Sequence, residues 1–77
     1  MTLLTEIQAD TFYFIREFIE ENGYSPTRAE IAEHYDITGN AAQQRVEALI
    51  RKGAVTHKYG VMRSLRPAKG YRVSIEK

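Results

Sequence analysis

Two groups of side chains in this 77-residue chain have types and spacings that suit chemistry. The first is Asn40, Gln43, Gln44, Glu47 and Arg51, spaced three and four apart so that they share one side of any helix that contains them. Amides on an exposed helix face both donate and accept, and Asn and Gln can bond adenine bidentately. The second is the basic series Lys58, Arg63, Arg66, Lys69 and Arg72, suited to neutralising phosphate. Catalytic chemistry has thinner support. Ser25, Ser64 and Ser74 fall in loop or strand contexts without a glycine elbow, and no paired His and acid is placed to activate them. His34 and His57 lack a third ligand type nearby and the chain has no cysteine, so neither a metal site nor a disulfide is expected. Glu17, Glu20 and Glu21 read as the solvated back of a helix. The expectation is a non-enzymatic chain with no cofactor.

These residues need elements to hold them, and the length allows one small domain, residues 1–77, since chains of this size bury only about 60% of the surface their unfolded form exposes. With 43% hydrophobic and 27% charged residues the composition is that of a folded soluble protein. Glu6, Asp10, Arg16, Glu17 and Glu20 exclude a signal peptide or membrane span over the first twenty residues, which points to the cytoplasm and the nucleoid. The net charge of +1 conceals a division along the chain. Residues 1–50 hold nine acids against three arginines, a charge of −6, whereas residues 51–77 hold eight basic residues against Glu76 alone, a charge of +7. Such asymmetry suggests a side that faces a polyanion.

Three helices and a hairpin are predicted. Thr5-Glu6-Ile7-Gln8 is a capping box that opens a first helix, and Asn22-Gly23 closes it. Leu4, Ile7, Phe12, Phe14, Ile15, Phe18 and Ile19 fall on its inner arc. Thr27 and Glu30 form a second capping box after Tyr24-Ser25-Pro26, opening a short helix that runs to about Tyr35, with Ile31, Ala32 and Tyr35 inward. After a turn at Asp36-Ile37, a third helix starts at Thr38 or Gly39 and runs to Lys52, ending at Gly53. Its inner side carries Ala42, Val46, Leu49 and Ile50, and its outer side the polar row described above. Phe14, Phe18, Val46, Leu49 and Ile50 are assigned to the core. Residues 54–59 and 71–75 alternate as strands do, and Gly60 to Gly70 reads as a long hairpin loop between them.

Two short helices joined by a tight turn, the second polar on its outer side, form the helix-turn-helix pattern, and a basic hairpin after it makes a winged helix: a mainly α fold with a small antiparallel wing. In such an arrangement the third helix presents Asn40, Gln43, Gln44 and Glu47 to base edges in a major groove. Thr27, Arg28, Thr38, Arg45, Arg51, Lys58, Arg63, Arg66, Lys69 and Arg72 are then candidate contacts to the DNA backbone, and the Tyr24 hydroxyl can donate there too.

The runs Ser25-Pro26-Thr27-Arg28-Ala29-Glu30-Ile31-Ala32, Asn40-Ala41-Ala42 and Ala48-Leu49-Ile50-Arg51-Lys52-Gly53-Ala54-Val55, with Leu4-Thr5, Gln8, Phe12, Ile15-Arg16, Ile19 and Gly23 before them, resemble the amino-terminal DNA-binding domain of the LexA repressor family. The resemblance reaches to about Val55. It implies a winged helix-turn-helix repressor module reading operator DNA, with base-contact roles at Asn40, Ala41, Gln43 and Gln44, and Thr38 where the family usually has Ser. The sequence departs from that pattern in a turn one residue shorter before the third helix, in Asp36 where glycine is usual, and in Gln43-Gln44 where the family has two glutamates. A sequence preference different from the family operator is expected. These residues also hold no counterpart of the family's carboxy-terminal self-cleavage and dimerisation domain. That leaves an excised domain or a naturally short relative, and the latter, borne by a phage or mobile element, is the expectation.

A transcriptional repressor or regulator that binds double-stranded DNA is therefore expected, with a winged-helix protein-interaction module as the rival reading. A monomer in solution that pairs as a homodimer on a palindromic operator is expected, without membrane association.

Overall fold

The computed structural model describes residues 3–76. Lys77, counted above among the basic residues of the second half, lies outside the described residues. Helix α1 spans Glu6–Asn22, α2 Arg28–Tyr35 and α3 Gly39–Arg51, followed by two short strands, β1 (Val55–Thr56) and β2 (Arg66–Pro67). Three threonines start the three helices for the same local reason: a hydroxyl one residue before the first turn accepts an amide N–H that has no partner within the helix. Thr5 Oγ1 accepts from Gln8 N at 3.1 Å and Gln8 Oε1 accepts from Thr5 N at 3.0 Å, completing the first capping box. Thr27 and Glu30 repeat it at α2, and Thr38 Oγ1 accepts from Ala41 N at 3.1 Å at α3. Gly23, at φ +79°, ends α1 in the left-handed conformation expected of it.

The turn between α2 and α3 is carried by Asp36 at φ +52°, with Ile37 N donating back to Ala32 O at 3.0 Å. This is the six-to-one closure of a helix end, and its left-handed residue is the position at which glycine has the least steric cost. Asp36 fills it at some strain, since a short polar side chain tolerates the conformation better than a branched one. Ile37 then packs on the core and delivers the chain to Thr38.

Leu4, Phe12 and Ile15 from α1 and its lead-in, Ile31 from α2, Val46 and Leu49 from α3, and Val55 and Leu65 from the hairpin form one buried cluster. Full burial of side chains of this size contributes roughly 1.5–3 kcal/mol each. The core assignment needs three changes. Phe14 and Ile50 are only partly buried against this cluster, and Phe18 packs its ring on Phe14 and Tyr24 at the surface. Ile7, expected on the inner arc, is 58% exposed.

The hairpin is also shorter than its sequence pattern suggests. Val55 pairs with Pro67 and Thr56 with Arg66 in antiparallel register, so the second strand lies inside the segment read as a loop. The alternating residues 71–75 have a different partner: Ile75 makes a parallel bridge to Leu4, with Leu4 N donating to Ser74 O at 2.8 Å and Glu76 N to Leu4 O at 2.6 Å. That bridge ties the two ends of the described chain together. No helix of the structure is long and apolar enough to cross a membrane.

Candidate nucleic-acid interface

Placed on α3, the polar row faces outward as its spacing requires. Asn40, Gln44, Glu47 and Arg51 are exposed, while Gln43 and Ala41 are half-buried. Gln43 Nε2 donates to Glu47 Oε1 at 3.0 Å, one turn along the helix. A carboxylate only accepts, so this contact fixes which end of the Gln43 amide carries the N–H groups. One N–H and the carbonyl oxygen stay available on Gln43. The Thr38 hydroxyl, although its oxygen accepts Ala41 N–H, keeps its proton for an external acceptor.

The wing folds beside this face. Arg28 in the first turn of α2, Gln43, Glu47 and Arg51 on α3, and His57 and Lys58 on the hairpin surround an open groove of about 560 Å³. Arg28 Nε is buried and has no hydrogen-bond partner among the described residues. Tyr59, Val61 and Met62 line the same groove from the wing and are 96%, 53% and 79% exposed. The sequence pattern puts Tyr59 at the end of a strand and Val61 and Met62 in a loop, all without a role; the only signal is large apolar residues around Gly60.

The tip itself is held by Ser64. Its hydroxyl oxygen accepts Lys58 N–H at 2.9 Å and lies within donating distance of the carbonyls of Val61 (2.9 Å) and Lys58 (3.2 Å). Ser25 is fully buried. Among the described residues no group of three His, Cys, Asp or Glu side chains is placed to hold a metal.

Not every predicted phosphate contact lies on this side. Arg45 stands about 140° around α3 from Asn40 at the ordinary helical rotation. Its guanidinium sits 4.6 Å over the Tyr35 ring and donates to Thr11 Oγ1 at 3.3 Å. It ties α3 to α1 and α2. The Thr27 hydroxyl is spent in the α2 capping box. Arg63, although exposed, donates to Glu30 Oε1 at 2.7 Å and to Ser25 O at 3.1 Å of its own chain. Lys52 Nζ reaches back to Leu3 O (2.8 Å) and Gln8 Oε1 (2.7 Å). Arg66, Lys69 and Arg72 are exposed, but Lys69 belongs to the turn at the base of the hairpin, next to Ala68, whose N–H donates to Ala54 O at 2.8 Å. The basic series is thus split between tip, strand and base instead of lining one loop.

The sequence profile of the LexA DNA binding domain matches residues 1–64. The chain belongs to this family. It is similar to the LexA repressor of Pseudomonas chlororaphis, 45% identical over 67 residues, 86% of this chain and 33% of that protein. It is also similar to the LexA repressors of Thermotoga petrophila, 44% identical over 72 residues covering 94% of this chain and 36% of the relative, and of a Marinomonas strain, 45% over 67 residues. The chain spans about a third of the length of these relatives. With the LexA-type match in place, three helices and a two-stranded wing are the winged helix-turn-helix expected from the sequence.

Proposed function

We propose that this LexA-type domain binds double-stranded DNA sequence-specifically and represses or regulates transcription, reading the major groove with α3 while the wing and the first turn of α2 grip the flanking backbone. The carrying observation is the convergence of Arg28, Arg51 and Lys58 with the amide-bearing face of α3 around one groove. Asn40, Gln43 and Gln44 supply donors and acceptors to base edges, Glu47 orients Gln43, and Ala41 allows close approach. Arg28, Arg51, Lys58 and the Thr38 hydroxyl serve phosphate, with Arg66, Lys69 and Arg72 as outlying charge. Arg45, Arg63 and Thr27, engaged with groups of their own chain, are left out of the contact set. The apolar wing tip suits sugar and thymine-methyl surface.

On this reading the protein works without catalysis or cofactor, in the cytoplasm on chromosomal DNA, and a pair of copies occupies the two halves of a palindromic site. The relatives named above are repressors, and nothing in them favours the protein-interaction alternative. Titration of duplex binding against salt tests the proposal. The logarithm of the affinity should fall linearly with the logarithm of salt concentration, with a slope of about 0.9 for each phosphate engaged. A flat response, or no binding at low salt, would contradict it.

A further inference from the structure

Arg63 occupies the left-handed region at φ +56°, where a non-glycine residue is strained and persists only if its surroundings over-determine it. Contacts to three residues do so. Its Nη1 donates to Glu30 Oε1 at 2.7 Å and to Ser25 O at 3.1 Å, its Nη2 lies 3.3 Å from Glu30 Oε2, and the guanidinium lies 4.6 Å over the Tyr24 ring. Glu30 also accepts Thr27 N–H at 2.9 Å, so one carboxylate both caps α2 and holds the wing. The pairing is strong enough to hold the Glu30 carboxyl below its ordinary range, chiefly through the hydrogen bond from Arg63. The next residue, Ser64, fastens the Lys58–Val61 turn, so an anchor at Arg63 fixes the whole tip.

We infer that Arg63 is a positioning residue of the DNA-binding surface: it clips the wing to the first turn of α2 and thereby sets where Lys58 and the apolar tip stand relative to α3, without itself neutralising phosphate. The inference rests on the DNA-binding reading above for its consequence, though not for the clip. A bidentate pair with an acid of its own chain leaves Arg63 little net charge to offer a polyanion, and release would expose Glu30 to it.

Glu30→Gln separates the two roles, because glutamine keeps the α2 capping box and removes the charge that holds Arg63. If Arg63 gripped phosphate, Glu30→Gln would free it and raise affinity for duplex DNA. As a clip, the substitution should lower affinity roughly three- to tenfold, the cost of ordering a loosened wing on binding. Arg63→Ala should give a similar loss on a mixed-sequence duplex with an unchanged salt slope, and the double variant should lose no more than either single one. A slope reduced by about 0.9 in Arg63→Ala, or tighter binding by Glu30→Gln, overturns the inference while leaving the DNA-binding reading intact. Backbone relaxation of the DNA-free protein provides an arm independent of DNA: amides of residues 58–62 should gain fast mobility in Arg63→Ala and Glu30→Gln but not in Arg51→Ala. Unchanged relaxation there would also overturn the clip, whether or not the wild type binds DNA.

Discussion

At the scale of single residues, the α3 amides to which the proposed function assigns base reading are of two kinds, free and pre-oriented. Asn40 and Gln44 are exposed, whereas Gln43 is held by Glu47. Asn40→Ala or Gln44→Ala should cost about 1–3 kcal/mol on a specific site and leave mixed-sequence affinity unchanged, as measured by competition binding. Lys58→Ala and Arg51→Ala should weaken all sequences alike and reduce the salt slope. Tyr35 offers a test of the helical packing behind the site. Its hydroxyl donates to Asp10 Oδ2 at 2.6 Å, and burial first, then that bond, raise its pKa well above the ordinary tyrosine value of 10.0. The neutral form is therefore favoured by folding, and the stability it contributes is complete below pH 10 and lost as pH climbs through the raised value. In a tyrosinate absorbance titration of the five tyrosines, the last phase should disappear in Tyr35→Phe. The shared outer face of Asn40, Gln43, Gln44, Glu47 and Arg51 was legible in the sequence because helical spacing alone decides it. The roles of Arg63 and Arg45 were not: Glu30 and Thr11 lie 33 and 34 residues away, and no local pattern announces such a partner.

At the scale of elements, the three helices were read from their caps, which are short-range chemistry written in neighbouring residues such as Thr5 with Gln8 and Thr27 with Glu30. The strands resisted the same reading. Arg66-Pro67 shows no alternation and includes a proline, which is tolerated because it lies on an edge with no ladder bond to donate, so the stretch reads as a loop. Residues 71–75 do alternate, but their partner is Leu4 at the opposite end of the chain. The turn into α3 carries a prediction. Asp36 sits at φ +52° where glycine has no steric penalty, so Asp36→Gly should raise stability by up to about 1 kcal/mol in chemical denaturation. Phe12, 2% exposed at the centre of α1, is the aromatic whose loss matters most: Phe12→Ala should cost about 3–5 kcal/mol, enough to unfold a domain this small. Phe14→Ala and Phe18→Ala should cost less in the same melt, since both rings are partly exposed.

At the scale of the whole molecule, the charge of −6 on residues 1–50 and +7 on residues 51–77 divides less simply than the sequence implies. Arg63 is paired with Glu30 and Lys52 is bonded to the start of α1, so two of the basic residues serve the fold. Arg28, from the acidic half, joins Arg51 and Lys58 at the groove in their place. What the proposed function turns toward DNA is therefore a small basic rim around the polar face of α3, while acids of α1 such as Glu17, Glu20 and Glu21 are exposed. On the proposed function such a rim would bind any duplex weakly, and discrimination would come from α3. Selection of bound duplexes from a random pool measures that discrimination directly. Enrichment of a short half-site motif is expected, recurring as an inverted repeat with its halves about one helical turn or a small multiple apart, with loss of that enrichment in Gln44→Ala. A pool that emerges unenriched, or an enrichment untouched by changes on the outer face of α3, would contradict it.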